Sequence, residues 1–521
     1  MKRTVMCLSL LLAFLIVLGA GEPVRRPYER EAGFQPVNRI DTLVLVSLQK
    51  KGIEPANLCS DAVFLRRAFL DVTGTLPTPI EVRDFLQDPG PDKRATLIRD
   101  LMERESFADY WALKWCDVLR VKAEFPINLW PNAVQCYHRW IRTAIRDNKP
   151  YDEFARELLT SSGSNFRVPP VNFYRAMQGH EPSTIARTVA LTLMGSRIDT
   201  WPESRRAGME VLFSRIAYKG TAEWKEEIVF LDPAPAGPLE AMLPDGTAVR
   251  VPTGQDPRVV FADWLIRDDN TWFTRNIVNR IWAWLMGRGI VHEPDDLRPD
   301  NPPVNPELMA YLEQELVKND YDLRHIYRLI LNSRTYQQSS VPRSDHSQAA
   351  DLFAHYRVRR LDAEVLIDAL CRITRDSESY SSMIPEPFTW VPERRPTIKL
   401  ADGSITSTFL EMFGRPTRDT GMMSERDNKP TAGQEMHLLN SSHIRDKLTG
   451  KWWLQNMTRM AGRDLTQMVR LLYATILSRP PTPAEVATTD QYFNTPGVNR
   501  NQAVEDLIWA LINSKEFLYR H

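Results

Sequence analysis

The chain has 521 residues, with 66 Lys and Arg side chains against 66 Asp and Glu, so its formal net charge is zero. At about 100 to 200 residues per domain, this length predicts two to four domains. The zero balance excludes a protein that uses a basic excess to neutralise nucleic-acid phosphates or to adsorb on an anionic membrane.

The amino terminus has the pattern of a secretory signal peptide. Lys2 and Arg3 precede an apolar run from Val5 to Leu18, and the small residues 19–21 follow it. This run is shorter than the stretch of about 20 residues that spans a bilayer as a helix. We therefore expect cleavage near Gly21 and a periplasmic or secreted chain without a membrane span. An uncleaved anchor is the alternative.

Helical periodicity dominates the rest of the chain and predicts a mainly α fold. Apolar residues recur at spacings of three and four, as on one face of a helix, most clearly within 273–285, 361–373, 465–476 and 504–512. We predict two helical domains, a small β-hairpin insertion between them, and helix-turn-helix repeats at both ends.

Residues 228–257 interrupt the helical pattern with repeated prolines. Asp245-Gly246 lies there between two short apolar runs, which is a typical hairpin signal. Residues 377–407 are similarly irregular and predict a long surface loop or a second hairpin. The predicted divisions are a signal peptide at 1–21, a helical domain at 22–227, a Pro-rich β insertion or linker at 228–257, and a second helical domain at 258–521.

An internal repeat links the two ends of the chain. Residues 77–82 match residues 481–486, and the preceding apolar helices align without a gap. In each copy a threonine is placed to cap the next helix, with proline at its first position, and a glutamate three residues later completes a capping box. We expect these repeats to supply packing surfaces.

Four cysteines follow the signal segment and are widely spaced: Cys59, Cys116, Cys136 and Cys371. The spacing gives neither a CxxC pair nor a zinc pattern. Isolated buried thiols are the prediction, with a Cys116–Cys136 disulfide as the alternative.

Several segments together resemble a known pair of domains. Residues 64–74 with the following Pro-Thr-Pro, and residues 150–159, resemble the planctomycete cytochrome-associated domain of unknown function, the PSCyt type. The second half resembles its usual companion, the PSD-type domain, through the segments 275–282, 287–291, 333–337, 360–364, 413–416, 424–426, 437–440 and 513–518. The resemblance implies an extracytoplasmic protein with no established reaction.

One departure from these relatives bears on cofactors. Many of them carry a CxxCH motif, used for haem attachment or metal binding, late in the first domain. The matching residues here, 193–202, contain neither cysteine nor histidine. We therefore carry over no haem, predict no cofactor and disfavour a redox function.

The densest polar constellation runs from Arg415 to His443. Its candidate ligand-binding residues are Arg415, Arg418, Glu425, Arg426, His437 and Asn440. Arginines hold a carboxylate or sulfate in fork geometry, and an imidazole transfers protons near neutral pH. The alternative is that ion pairs tie this loop to a helix while His437 is hydrogen-bonded in the core.

Other candidates for chemistry are weaker. Residues 292–296 are rich in oxygen ligands but lack the regular spacing of a calcium loop, so no metal site is predicted. No nucleophile elbow, HExxH, P-loop or dinucleotide motif is present. Trp111, Trp115 and Trp282 share helical spacing with apolar residues and are expected in the core. The adjacent Trp452 and Trp453 cannot both face inward, so one is a candidate for a partner or glycan contact.

These observations favour a structural, interaction or binding module for which catalysis is not predicted. The alternative is an extracytoplasmic enzyme or binding protein that acts on polysaccharide or another anionic polymer. The expected partner is an envelope or extracellular protein or a glycan, not nucleic acid.

Overall fold

The computed structural model describes residues 27–30, 33–234, 237–449 and 464–521. The predicted signal peptide and the Trp452-Trp453 pair lie outside these ranges. The prediction of a mainly α fold is confirmed, since helices predominate and the sheets have only two or three strands. Across the described ranges, we find no helix with both the length and the apolar character needed to cross a bilayer.

Within the described residues, ten helices precede the insertion. They are α1 (Arg39–Gln49), α2 (Asp61–Val72), α3 (Pro79–Gln87), α4 (Lys93–Met102), α5 (Glu105–Val118), α6 (Pro131–Arg146), α7 (Tyr151–Thr160), α8 (Asn172–Arg175), α9 (Pro182–Met194) and α10 (Glu203–Val211).

The second half is likewise helical in its described parts. Its helices are α11 (Pro257–Leu265), α12 (Thr271–Met286), α13 (Pro306–Lys318), α14 (Leu323–Leu331), α15 (Ala363–Thr374), α16 (Thr408–Met412), α17 (Ala432–Asn440), α18 (Ser442–Leu448), α19 (Leu465–Ile476), α20 (Pro483–Phe493), α21 (Arg500–Ile512) and α22 (Lys515–Leu518).

The strands form three small antiparallel sheets. They are β1 (Gly163–Ser164), β2 (Ile216–Gly220), β3 (Glu227–Leu231), β4 (Leu239–Met242), β5 (Ala248–Val251), β6 (Arg359–Arg360) and β7 (Tyr519–Arg520). The hairpin predicted around Asp245-Gly246 is β4–β5, with Leu239 opposite Val251 and Met242 opposite Ala248. A sheet of order β1-β3-β2 was not predicted, and the proposed domain boundary at 227/228 falls within its central strand.

Helix α12 shows how the local sequence sets these elements. The side chain of Asn270 accepts a hydrogen bond from the Trp272 N–H at the first turn, and Gly287 ends the helix in the left-handed conformation at φ 77°. Between these ends, the predicted apolar face is buried.

The core contains the tryptophans that were expected there. Trp111, Trp115 and Trp282 are all buried, and Trp111 packs against Tyr327 with their ring centroids 4.3 Å apart. All four cysteines are free thiols, but only Cys59 and Cys116 are buried as predicted, whereas Cys136 and Cys371 are partly buried.

The two copies of the repeat contact each other directly. Both capping boxes form, Thr78 with Glu81 and Thr482 with Glu485. Arg66 of α2 is buried, and its guanidinium donates to the Ile476 carbonyl at 2.7 Å and to the Phe517 carbonyl at 3.0 Å. The beginning and end of the described fold are therefore joined through one arginine.

The irregular region 377–407 is a loop, not a hairpin. Its ends are linked by an isolated bridge between Ser381 and Thr406. A short 3-10 helix, Thr397–Lys399, packs along α15. We call residues 377–407 the cleft segment, because it lines the cleft described below.

Replacing Arg66 with alanine is expected to lower the free energy of unfolding by about 3 kcal/mol. The reason is that two buried carbonyls lose their donor at the contact between the repeats. Urea denaturation of the full chain measures this change. The exposed Arg83 of α3, which pairs with its neighbour Asp84, is the control, and Arg83→Ala should cost less than about 0.5 kcal/mol. Equal, small effects of both substitutions would contradict the role assigned to Arg66.

Candidate functional site

Helix α15 positions two polar regions of the molecule. Asp362 precedes its first turn and Glu364 lies within that turn, while Asp368 and Arg372 follow toward its end. Its apolar face is buried, and the carboxylates of Asp362 and Glu364 are buried with it. One end of the helix therefore lies in a closed ionic network, and the other reaches an open cleft.

The ionic network joins both halves of the chain at Asp362. Its Oδ2 accepts hydrogen bonds from the Lys114 Nζ of α5 at 2.8 Å and from the Arg520 Nη2 of β7 at 3.0 Å. The Tyr110 hydroxyl donates to the same oxygen at 3.1 Å. Burial, together with the nearby guanidinium of Arg426, lowers the pKa of Lys114 to about 8.

Arg426 occupies the centre of the same network. It donates to Glu364 Oε2 at 2.7 Å and to Asp117 Oδ2 at 2.7 Å. Burial alone would raise the pKa of Glu364, but the charge and hydrogen bonds of Arg426 outweigh burial and lower that pKa to about 2. Glu364 is therefore an ionised partner of a buried arginine, and Asp117 is the second carboxylate on the same guanidinium.

The other two arginines of the predicted constellation are also internal. Arg418 is fully buried and donates to Asp117 Oδ1 at 2.9 Å. Arg415 donates to the Ile405 carbonyl, and its Nε lies 3.6 Å from Glu364 Oε1. All three guanidinium groups therefore contact partners within the chain.

The remaining predicted residues lie apart from these arginines. Glu425 Oε1 accepts the backbone N–H groups of Asp419 and Thr420 at 3.2 and 2.7 Å, which closes the turn before it. Asn440 is exposed at the end of α17, with its amide 3.8 Å from the Met436 sulfur. The six candidates therefore do not converge on one open site.

His437 belongs to a different hydrogen-bonded series. Its Nε2 lies 3.2 Å from His443 Nδ1, and His443 Nε2 lies 2.8 Å from Glu378 Oε2. Lys447 Nζ is 3.2 Å from the same Glu378 oxygen. Partial burial, followed by the influence of His443, lowers the pKa of His437. This series leads from α17 to the cleft, which Glu378 lines.

The cleft lies between α15, the turn after α2 and the cleft segment, and its volume is about 280 Å³. Its charged lining residues are Asp368, Arg372, Asp376, Glu378, Arg394, Arg395 and Lys399. Asp368 accepts the backbone N–H groups of Thr397 and Ile398 at 2.6 and 3.0 Å, which fixes the wall of the cleft against α15. Burial raises the pKa of Asp368 to about 6 despite these hydrogen bonds.

Some of the charged residues that line the cleft form ion pairs within the chain, and others do not. Glu378 pairs with His443 and Lys447, and Lys399 Nζ lies 3.0 Å from Asp109. The guanidiniums of Arg372 and Arg395 donate only to backbone carbonyls, those of Leu76 and Lys399. Among the described residues, no carboxylate forms an ion pair with Arg372, Arg394 or Arg395. The lining therefore holds four cations and three carboxylates, and three of the cations have no ion-pair partner among the described residues.

Sequence reasoning did not select these three arginines. Arg394 and Arg395 lie in a segment without helical periodicity, and the path of this segment depends on its hydrogen bonds to Asp368. Arg372 lies on a helix whose sequence pattern shows an apolar face but gives no sign of a cleft. A signal was available in the Arg394-Arg395 pair, which is flanked by prolines and therefore exposed.

The segments considered for a metal or a haem are packed against other parts of the chain. In the described ranges, no group of three or more His, Cys, Asp or Glu residues is placed to hold a metal ion. Asp295 instead turns inward and accepts a hydrogen bond from Arg280 at 2.8 Å. Gly195 packs so tightly that a Cβ there would lie 2.8 Å from Asn276 Oδ1. Residues 193–202 thus supply no thiolate or imidazole for a haem.

Comparison with known protein families identifies two domains in the chain. Residues 39–202 match PSCyt2, described as a protein of unknown function (DUF1549), and residues 257–493 match PSD1, described as a protein of unknown function (DUF1553). The chain belongs to this paired-domain family. No curated protein and no solved structure matches the chain. In this PSCyt–PSD protein, the ionic network joins Lys114 and Asp117 of the PSCyt2 domain to Asp362, Glu364 and Arg426 of the PSD1 domain.

We expect Glu364→Gln to lower the free energy of unfolding at pH 7 by about 3 kcal/mol, because Arg415 and Arg426 lose their shared carboxylate. The folded-state pKa of Glu364 lies below its ordinary value of 4.5, so its contribution is complete above about pH 4.5 and is lost as the pH falls toward 2. The free energy of unfolding of the variant should therefore also fall less steeply than that of the unchanged chain as the pH is lowered below about 4.5.

Urea denaturation between pH 7 and pH 3 measures both effects. Glu307 is the control, because it is exposed and lies 3.8 Å from Lys50. Glu307→Gln should cost less than about 1 kcal/mol. If the free energy of unfolding of Glu364→Gln falls with pH as steeply as that of the unchanged chain, the network does not depend on this charge.

Proposed function

We propose that this PSCyt–PSD protein is an extracytoplasmic binding module that holds an acidic glycan in the cleft beside α15. The observation that carries the proposal is the set of three arginines, Arg372, Arg394 and Arg395, which line one cleft without a carboxylate partner among the described residues. A guanidinium matches the two oxygens of a carboxylate or sulfate in fork geometry. An anionic ligand would therefore supply the missing partner.

The size of the cleft supports a polymer as the ligand. Its volume of about 280 Å³ is close to the lower end of the range of about 300 to 1,000 Å³ for sites that enclose a small molecule. Such a cleft suits one acidic residue of a chain whose neighbouring residues lie outside. The signal-peptide pattern at residues 1–21 supports an encounter with envelope or extracellular glycans.

Arg394→Gln/Arg395→Gln is expected to weaken binding of polygalacturonate at least tenfold at low salt, because the ligand loses two guanidinium partners. Isothermal titration calorimetry of the folded chain measures the affinity. The control is Arg139→Gln/Arg328→Gln, which removes two exposed arginines from α6 and α14 and should leave binding unchanged. A sulfated galactan tests in the same way whether sulfate replaces carboxylate. Polyglutamate tests whether negative charge without sugar is enough for binding, and neutral dextran tests whether sugar without charge is enough. Equal binding of dextran, or equal weakening by the control variant, would overturn the proposal.

The extracytoplasmic location has its own test. Expression of the chain with its natural amino terminus in a secreting bacterium should yield a soluble protein whose intact mass begins close to residue 22. Mass spectrometry of the periplasmic and membrane fractions measures this. A protein that retains residues 1–21 and stays in the membrane fraction would contradict cleavage and favour the anchor.

A further inference from the structure

A cluster of aromatic side chains lies on the surface outside the cleft. Trp130 and Trp224 meet edge to face with ring centroids 4.5 Å apart, and Phe388 lies 5.6 Å from Trp130 and 5.7 Å from Trp224. We call these three residues the aromatic platform. Trp224 is 58% exposed and Phe388 is 46% exposed, so the cluster is not part of the core.

Three separate parts of the chain build the platform. Trp130 ends the loop between α5 and α6, Trp224 lies in the turn between β2 and β3, and Phe388 belongs to the cleft segment. The backbone of Trp130 has φ 70° and ψ 147°, a conformation that side-chain-bearing residues rarely adopt. This backbone, with the packing of the rings on one another, holds the platform at the surface.

Hydrogen bonds connect the platform to the cleft. Glu124 Oε1 accepts the Ser382 hydroxyl and the Met383 N–H, both at 2.8 Å, so the loop before Trp130 holds one end of the cleft segment. The Ala123 N–H donates to Asp402 Oδ1 at 2.9 Å and holds the other end. The segment that carries Phe388 also carries Arg394 and Arg395 into the cleft.

One exposed cation lies beside the aromatic rings of the platform. Lys225 is exposed, and its Nζ lies 5.4 Å from the Trp130 ring centroid and 5.8 Å from that of Trp224. No carboxylate of the described residues forms an ion pair with it. An aromatic face beside an ammonium group suits a sugar ring that carries a carboxylate or sulfate, because the C–H face of the ring packs on the aromatic ring while the anion meets the cation.

We propose that the aromatic platform is a second subsite for the glycan, where sugar rings stack on Trp224 and Phe388 while an acidic residue of the same chain occupies the cleft. This proposal rests on the proposed function, and it adds that the ligand is a polymer that occupies two subsites. Exposed aromatic residues also mark protein and membrane contacts. Glu386 and Glu393 are exposed on either side of Phe388 and oppose an anionic bilayer and an anionic polymer alike. The glycan is favoured because hydrogen bonds hold the platform against the segment that carries Arg394 and Arg395 into the cleft.

The test compares long polygalacturonate with digalacturonate by isothermal titration calorimetry. Trp224→Ala/Phe388→Ala should weaken the polymer at least tenfold and leave the dimer unchanged, whereas Arg394→Gln/Arg395→Gln should weaken both. Ile80→Ala, which removes an exposed apolar side chain from α3, is the control and should change neither. Unchanged polymer binding in the platform variant would overturn the second subsite while leaving the cleft proposal intact.

A neutral galactan tests whether the platform binds sugar without charge. If the protein binds the neutral galactan through Trp224 and Phe388 but no acidic polymer, the platform is a sugar-binding surface, and both the anionic cleft and the two-subsite proposal are overturned. Binding to vesicles of phosphatidylglycerol that the platform variant loses would assign the platform to a membrane surface. A dimer that the platform variant dissociates would assign it to a second copy. Either result would overturn the proposal.

Discussion

The fold depends on pairing the carboxylates that precede and begin α15 with cations from distant parts of the chain. Asp362 and Glu364 are buried, and an unpaired buried charge costs several kcal/mol. Their partners are Lys114 of α5, Arg426 of the loop before α17 and Arg520 of β7. Each pair brings together segments that are remote in sequence, and removal of one member leaves its partner with fewer opposite charges in a buried site. The network therefore sets the position of α15 relative to both family domains.

The position of α15 in turn determines the candidate site. Its later residue Asp368 holds the cleft segment through the N–H groups of Thr397 and Ile398, and Arg372 lines the cleft one turn further on. The same segment carries Arg394, Arg395 and Phe388. A closed ionic core at one end of the helix and an open cationic cleft at the other thus share one rigid support. This arrangement separates arginines that hold the fold from arginines that are available to a ligand.

Local signals in the sequence predicted the elements well, whereas pairings between distant residues could not be predicted. The periodicity of α12, both capping boxes and the β4–β5 hairpin each depend on fewer than about twenty neighbouring residues. The β2–β3 pair was missed because its turn contains Trp224-Lys225 and lacks an Asn-Gly or Asp-Gly signal. The constellation from Arg415 to His443 was recognised as polar, but Asp117, the partner of Arg418 and Arg426, lies about 300 residues earlier. Arg394 and Arg395 became candidates only when Asp368 was seen to fix their segment.

The cleft segment, in our proposal, forms the ligand-binding surface of this PSCyt–PSD protein. Hydroxyl-radical footprinting with mass spectrometry, with and without polygalacturonate, tests it most directly, because it reports the solvent exposure of individual side chains. We expect polygalacturonate to protect Trp224, Phe388 and the residues around Arg394, with no change at the exposed Ile80 on α3. Protection confined to other surfaces, with the cleft segment unchanged, would contradict it.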